Sequence, residues 1–238
     1  MNVDPKFFLP LDYIENPVTS LDDSPSASYW GHKRVAAASR FQKPFYNWVL
    51  REIAERRPLR IADVGCGTGG KIIEISEKFP SGEYFGFDQP SSLQLQRKAS
   101  SVGFLPVNLD QASLWEGEKF DFVISSDTIE HLGDPDQLLN FLKSLCSKKA
   151  ICMISTPDRD ALRGKRNRRS PNLAHVREWS KSELFTYLET SGFQVASQRN
   201  LLPKSLRLDL QTGIWALKRA VTSPKFHTNQ GVLSIVNS

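Results

Sequence analysis

From about residue 59 onward the chain alternates short apolar runs with amphipathic ones. Residues 59–64 read as a first strand, 70–79 as a helix, and 84–88 as a second strand closed by Gln89-Pro90. A helix is expected over 91–102, then strands over 104–109 and 120–125. Asp134-Pro135 opens a helix whose apolar face is Leu138, Leu139, Leu142 and Leu145, and 150–155 is a fifth strand. Ser180, with Glu183 three residues on, forms a capping box for a helix ending near Gly192. Residues 193–198 and 232–236 supply two last strands. Strands separated by helix-length periodic segments bury both faces of a parallel sheet, so the expected fold is α/β: a doubly wound, mostly parallel, seven-stranded sheet.

Outside this rhythm, residues 33–57 carry Phe41, Phe45, Trp48 and Val49 at helical spacing, with Pro44 inside. That proline should kink the helix or start a second one. Residues 1–32 are rich in Pro, Ser and Asp and read as an irregular arm; 33–238 form a single domain with cap segments at 156–180 and 203–222. Within the second cap, Leu206, Leu210, Ile214 and Leu217 share one helical face.

The 238 residues, 39% of them hydrophobic, fit one α/β domain. No apolar run is long enough to span a bilayer, and the first ten residues do not read as a secretory signal. Three cysteines (Cys66, Cys146 and Cys152) match no metal pattern and read as thiols, so a reducing cytoplasm is expected. The net charge of +5 is local: between Arg159 and Arg169 stand six basic residues against Asp160 alone. The remainder is neutral, which argues against a general nucleic-acid surface.

The most specific chemistry lies in Asp63-Val64-Gly65-Cys66-Gly67-Thr68-Gly69-Gly70, directly after the first strand and opening a helix. Glycines there let the chain turn sharply and a ligand approach the backbone. Asp88 ends the second strand, where a carboxylate can accept ribose hydroxyls. Gly65, Gly67 and Gly70 also satisfy a dinucleotide pattern, so an NAD(P)-dependent oxidoreductase is one alternative. Three features favour S-adenosyl-L-methionine. Asp63 stands two positions before the first glycine, Asp110 follows the third strand, and little chain remains after the fifth strand for a separate substrate domain.

With these residues in place, the sequence resembles class I S-adenosylmethionine-dependent methyltransferases, in the small-molecule branch of the type 11/12 kind. The resemblance spans about residues 45–200. It rests on the 63–69 turn, Asp88, Asn108-Leu109-Asp110, Phe120-Asp121-Phe122-Val123, and Ser-Ser-Asp-Thr-Ile-Glu-His-Leu over 125–132. It implies that Asp63, Gly65, Cys66, Gly67 and Gly69 hold the methionine part, and that Asp88, with Gln89 beside it, holds the ribose. Leu109 and Asp110 would border the adenine, and Ser126 would lie beside the sulfonium. Many relatives carry the adenine-side acid where Asn108 stands, so Asn108 and Asp110 both remain candidates.

Methyl transfer needs an acceptor atom held in line, and a base where that atom carries a proton. His131 and His175 are the candidate catalytic residues, with Asp127 and Glu130 at the same strand end as His131. The surroundings of His175, His-Val-Arg-Glu-Trp-Ser, resemble methyltransferases that modify sugars and related metabolites. Either histidine could instead brace a loop. Arg166, Arg168, Arg169 and Arg177 are the acceptor-binding candidates, suited to a phosphate- or sugar-bearing small molecule. No histidine, cysteine or acid spacing suggests a metal. The expected activity is O-methylation of such a metabolite, with non-catalytic binding of RNA or another anion as a further alternative. Oligomeric state is left open.

Overall fold

The computed structural model describes residues 4–18, 32–94, 101–201 and 229–236. A long helix, α1 (His32–Arg56), leads into β1 (Arg60–Val64), α2 (Gly70–Lys78), β2 (Glu83–Asp88), the short α3 (Pro90–Leu93) and β3 (Val102–Pro106). Then come β4 (Phe120–Ser126), a 3₁₀ turn (Ile129–His131), α4 (Pro135–Leu145), β5 (Cys146–Pro157), the short α5 (Arg159–Leu162), α6 (Lys181–Thr190), β6 (Gln194–Leu201) and β7 (Asn229–Val236).

The strands form one seven-stranded sheet in the order β3-β2-β1-β4-β5-β7-β6. The first five pair in parallel, and β7 runs antiparallel between β5 and β6. Both faces are covered, so successive residues of one strand enter different apolar layers, and a register shift between Phe120 and Phe122 of β4 sends these two to opposite faces. Phe120 and Val123 of β4 join Leu138, Leu142 and Leu145 of α4 and Leu184 and Leu188 of α6. Phe122 and Ile124 join Phe45, Trp48, Val49 and Ile53 of α1 and Ile72, Ile73 and Ile75 of α2. The strand order reverses between β1 and β4, so the topological switch point, beside which sheets of this kind bind ligands, lies at the carboxyl ends of β1 and β4.

Local signals act as their chemistry requires. Asp134 caps α4 through Asp136 N, with Pro135 at the first helical position. Ser180 and Glu183 complete the capping box of α6, with bonds of 2.8 Å and 3.4 Å. Three expectations change. Pro44 lies within one unbroken helix rather than beginning a second. Phe41 is 37% exposed, whereas Phe45, Trp48 and Val49 are buried, so the apolar face starts one turn later. Val102 pairs with Tyr84 as the first residue of β3, so the third strand runs over Val102–Pro106; the predicted helix is present as α3, and residues 95–100 lie outside the described residues. The expected face over 204–220 and the cap at 203–222 also lie outside them. None of the described helices is long and apolar enough to cross a membrane.

Residues 4–18 pack on the domain. Phe7 and Leu9 are buried, and Phe7 O accepts the Trp179 indole N–H at 3.0 Å. The Asn16 amide donates to Ser170 O, Asn172 O and His175 O at 2.9–3.2 Å, tying this strap to the loop after β5.

Candidate active site

The glycine turn leaves β1 and folds back on its neighbours. Gly65 N and Cys66 N both donate to Phe87 O, at 2.8 Å and 3.2 Å, and Gly69 N donates to Cys66 O. Gly65 and Gly69 both have φ +75°, and there is no room for a side chain at either. A Cβ would lie 2.2 Å from Thr128 Oγ1 at Gly65 and 2.4 Å from the Phe104 ring at Gly69. The turn after β1 is thereby packed against the loop after β4 and against β3.

Asp88, at the tip of β2, accepts Gly67 N on Oδ2 and Gln89 N on Oδ1, both at 2.7 Å. Burial raises its pKa, while the bonds from Gly67, Gln89 and the Ser92 hydroxyl lower it. A carboxylate offers about four lone-pair sites, so acceptor capacity remains. The neighbouring Gln89 has its Oε1 buried without a hydrogen-bond partner. The Cys66 thiol, raised by burial, sits against Gly67 O.

Asp63 is fully buried on β1. Its Oδ2 accepts the Tyr46 hydroxyl at 3.0 Å, and its Oδ1 has no partner. Burial pushes its pKa to about 7; Asp88 adds to the rise, while Tyr46 and the Lys71 ammonium oppose it. A buried carboxylate oxygen without a donor is costly, and an ammonium group would satisfy it. The positive-φ turn and the orphaned Asp63 oxygen therefore fit the amino-acid end of S-adenosylmethionine.

The third-strand candidates separate. Asn108 is exposed and its Oδ1 accepts Asp110 N. Leu109 is buried in the apolar layer beneath. Asp110 Oδ1 accepts Gly133 N at 2.8 Å and Asp134 N at 3.3 Å, joining the β3 loop to the start of α4. Ser126 is buried at the end of β4, its hydroxyl 2.9 Å from that of Ser155. Ser155 in turn donates to Asp127 Oδ1, which also accepts Asn229. Asp127 itself adopts φ +52°.

Beyond Asp127 the two candidate histidines meet. Their ring centroids are 4.9 Å apart, with the planes at 84°. His131 Nδ1 bonds Ala174 O at 2.6 Å, and His175 Nδ1 bonds Glu178 Oε1 at 2.7 Å. Glu178 also accepts the Ser170 hydroxyl and two bonds from Arg163. Burial works against its charge, but the bonds from His175 and Arg163 prevail and hold its pKa to about 2. Glu130, 1% exposed, accepts the Thr156 hydroxyl on Oε2 and leaves Oε1 without a partner. Burial, reinforced by Asp127, pushes its pKa well up. Chain spacing suggested no metal-binding group; the fold brings one ligand atom each of Glu130, His131 and His175 within 4.8 Å of one another. The loop after β5 carries His175 back over the end of β4, a juxtaposition that spacing does not encode.

The basic run is largely answered from within the chain. Arg159 is buried and pairs with Glu183 at 2.7 Å, and Arg163 with Glu178. Arg168 pairs with Asp12 and Arg169 bonds Asn16 Oδ1, both at 2.7 Å. Arg177, 1% exposed, bonds Glu15, Leu132 O and Gly133 O, and stacks 4.3 Å above the Phe7 ring. It is a strut between strap and loop. Arg166 is exposed and forms no ion pair among the described residues. Tyr46, Thr128 and Thr156 shape the site without having been expected. Each acts through a partner distant in sequence, Tyr46 on Asp63, Thr128 on Gly65 and Thr156 on Glu130, and only Thr128 lies within a run that the sequence singled out.

The methyltransferase-domain family matches residues 35–198. Ubiquinone biosynthesis O-methyltransferase of Azorhizobium caulinodans is 24% identical over 88% of this chain and 93% of its own. Trans-aconitate 2-methyltransferase of Deinococcus radiodurans is 30% identical over 44% of this chain and 40% of its own, and that of Escherichia coli O1:K1 is 24% identical over 41% and 39%. The matched stretch thus spans well under half the length of the trans-aconitate enzymes. Two solved structures share the fold. One is the plantazolicin methyltransferase BpumL, in complex with a pentazolic desmethylPZN analog and SAH (TM-score 0.62, 15% identity, 92% of both chains). The other is Haemonchus contortus phosphoethanolamine N-methyltransferase 2, in complex with phosphomonomethylethanolamine and S-adenosylhomocysteine (TM-score 0.63, 14% identity, 93% of this chain and 61% of that one). The nicotinamide alternative is set aside by the family match, which covers well over half of the sequence: the chain belongs to the methyltransferase-domain family, the class I S-adenosylmethionine-dependent methyltransferases.

Proposed function

We propose that this chain methylates a hydroxyl of a small polar metabolite, sugar-bearing or anionic, using S-adenosylmethionine in the cytoplasm. The observation that carries the reading is the contact between Gly65 and Thr128. It sets the turn with the orphaned Asp63 oxygen against the loop that leads to His131. Cofactor and acceptor groups thereby share one crevice.

When bound, the cofactor supplies a methyl group on a positively charged sulfur, already a good leaving group. The chain's task is then mainly placement. Asp63 would hold the amino group, Gly65, Cys66, Gly67 and Gly69 would cradle the same end, and Asp88 with Gln89 would hold the ribose. Asn108, Leu109 and Asp110 would border the adenine, and Ser126 the reactive end. His131 and His175 assist the acceptor hydroxyl. Segment 156–180 forms the acceptor-side cap, and the exposed Arg166 favours an anionic or phosphate-bearing molecule. The names of the relatives, an O-methyltransferase of ubiquinone biosynthesis and a trans-aconitate methyltransferase, support small-molecule acceptors.

Labelled S-adenosylmethionine incubated with the chain and a panel of sugar phosphates, polycarboxylates and phenols tests this. The expected product is a labelled methyl ether, or a methyl ester where a carboxylate oxygen is the acceptor, lost in His175→Gln. Transfer to nitrogen only, or label retained on ribonuclease-sensitive material, would overturn the acceptor class.

A further inference from the structure

We infer that Glu178 is a positioning residue for methyl transfer: its hydrogen bond to His175 Nδ1 turns the opposite ring nitrogen to the acceptor hydroxyl and makes His175, rather than His131, the group that takes the proton. The inference rests on the O-methylation reading and adds to it which side chain carries the proton and what holds that side chain.

Glu178 lies behind His175 as a fully buried carboxylate. Its Oε1 accepts His175 Nδ1 at 2.7 Å, the Ser170 hydroxyl at 2.8 Å and Arg163 Nη2 at 3.1 Å. Its Oε2 accepts Arg163 Nε at 3.2 Å. The backbone is held as well. Glu178 N donates to the Tyr13 hydroxyl of the strap, and Asn16 Nδ2 donates to His175 O, both at 2.9 Å. The His175 side chain is 12% exposed and that of Glu178 0%, so the pair opens at the histidine end only. A carboxylate only accepts, so Nδ1 carries the hydrogen of the neutral ring and Nε2 is left to take a second proton.

Three acids lie near this ring. Glu178 is behind it, an oxygen of Glu130 is within 4.8 Å of one of its nitrogens, and Asp127 is close enough for the two charges to interact. Burial raises Asp127 above the usual carboxylate range despite the bonds from Ser155 and Asn229, and it pushes Glu130 far above that range. Glu178 alone is held down: burial works against its charge, but the bonds from His175 and Arg163 prevail and keep it at about 2. It is therefore the acid that stays ionised through the neutral range and stabilises an imidazolium at His175. His131 has a neutral anchor instead, since its Nδ1 bonds the Ala174 carbonyl and so holds the loop that carries His175. In the transfer, His175 Nε2 takes the hydroxyl proton as that oxygen bonds to the methyl carbon. The sulfur–carbon bond breaks with its electron pair left on sulfur, and the imidazolium gives its proton to water.

The test compares the full chain, with ¹⁵N-labelled histidine, as wild type, Glu178→Gln, Glu178→Asp and His175→Gln, the last assigning the His175 ring signals by NMR. S-adenosylhomocysteine binding is measured on every sample. In wild type the neutral His175 ring should carry its hydrogen on Nδ1, with a downfield proton signal that moves upfield in Glu178→Gln. A hydrogen on Nε2, or an Nδ1 signal unmoved by Glu178→Gln, would overturn the positioning role. Labelled methyl transfer is then followed on phenols of graded acidity. Glu178→Gln should lower kcat about 100-fold on weakly acidic hydroxyls with KM nearly unchanged, and far less on a phenol already ionised, which needs no base. Glu178→Asp should recover part of the loss. A loss of equal size on every phenol, or a rise in KM alone, would overturn the proposal. If Glu178→Gln does not fold, the wild-type tautomer and Glu178→Asp decide. An Nδ1 hydrogen in a chain that binds S-adenosylhomocysteine but methylates no hydroxyl would overturn the O-methylation reading and leave the His175–Glu178 pair standing. Methylated hydroxyls with the hydrogen on Nε2 would do the reverse.

Discussion

Asp88 Oδ2 accepts the Gly67 amide at 2.7 Å, so the acid at the tip of β2 braces the glycine turn at the tip of β1. The group proposed to hold ribose thus also fixes the cradle for the amino-acid end. Asp88→Ala should weaken S-adenosylhomocysteine binding by about 1–3 kcal/mol, the scale of a hydrogen bond to a charged group. Calorimetry reads this directly, and unchanged affinity would remove Asp88 from the cofactor site.

Gly65→Ala should destabilise the fold by about 2 kcal/mol or more. It combines a positive φ with a Cβ placed 2.2 Å from Thr128 Oγ1. Adding Thr128→Ala removes the clash but not the backbone strain, so urea denaturation of the double variant should recover part of the loss. Full additivity of the two changes would show that the turn and the β4 loop are not in contact.

If Asp63 holds the amino group as proposed, cofactor binding should depend on pH. Its folded pKa of about 7 lies above the ordinary carboxylate value, so the folded chain retains a proton that the unfolded chain releases. Stability of the ligand-free protein from this group is full at low pH and falls as pH rises toward 7. Pairing with an ammonium group requires the carboxylate form, so S-adenosylhomocysteine should raise the melting temperature more at pH 8 than at pH 6. Asp63→Asn should flatten that difference.

Arg168 and Arg169 reach the strap at Asp12 and Asn16. Replacing both by Ala should speed hydrogen exchange and proteolysis within residues 4–18 and 168–179. Affinity for S-adenosylhomocysteine should be unaltered, because neither side chain touches the glycine turn or Asp88. Lost cofactor affinity would place this loop on the other half of the crevice.

Much of the fold was legible because parallel strands covered on both faces are buried almost throughout and rich in apolar residues, as over Arg60–Val64 and Phe120–Ser126. The glycine turn and Asp88 were legible because their chemistry is local: glycine where φ is positive, and an acid at a strand end. The β3 boundary was misplaced because Val102 suits helix or strand, and its pairing with Tyr84 decides. The meeting of His131 with His175 has no trace in spacing, since the loop after β5 creates it. The partners of Arg168 and Arg169 in the basic run, Asp12 and Asn16, have no trace in spacing because they lie in a strap about 150 residues earlier.

The central claim is that the tips of β1 and β2 hold S-adenosylmethionine, and titration of the full chain with S-adenosylhomocysteine tests it most directly. The account predicts saturable binding at one site per chain, weakened in both Asp63→Asn and Asp88→Ala, with no response to NADH. Absence of binding, or binding that neither substitution alters, would contradict it.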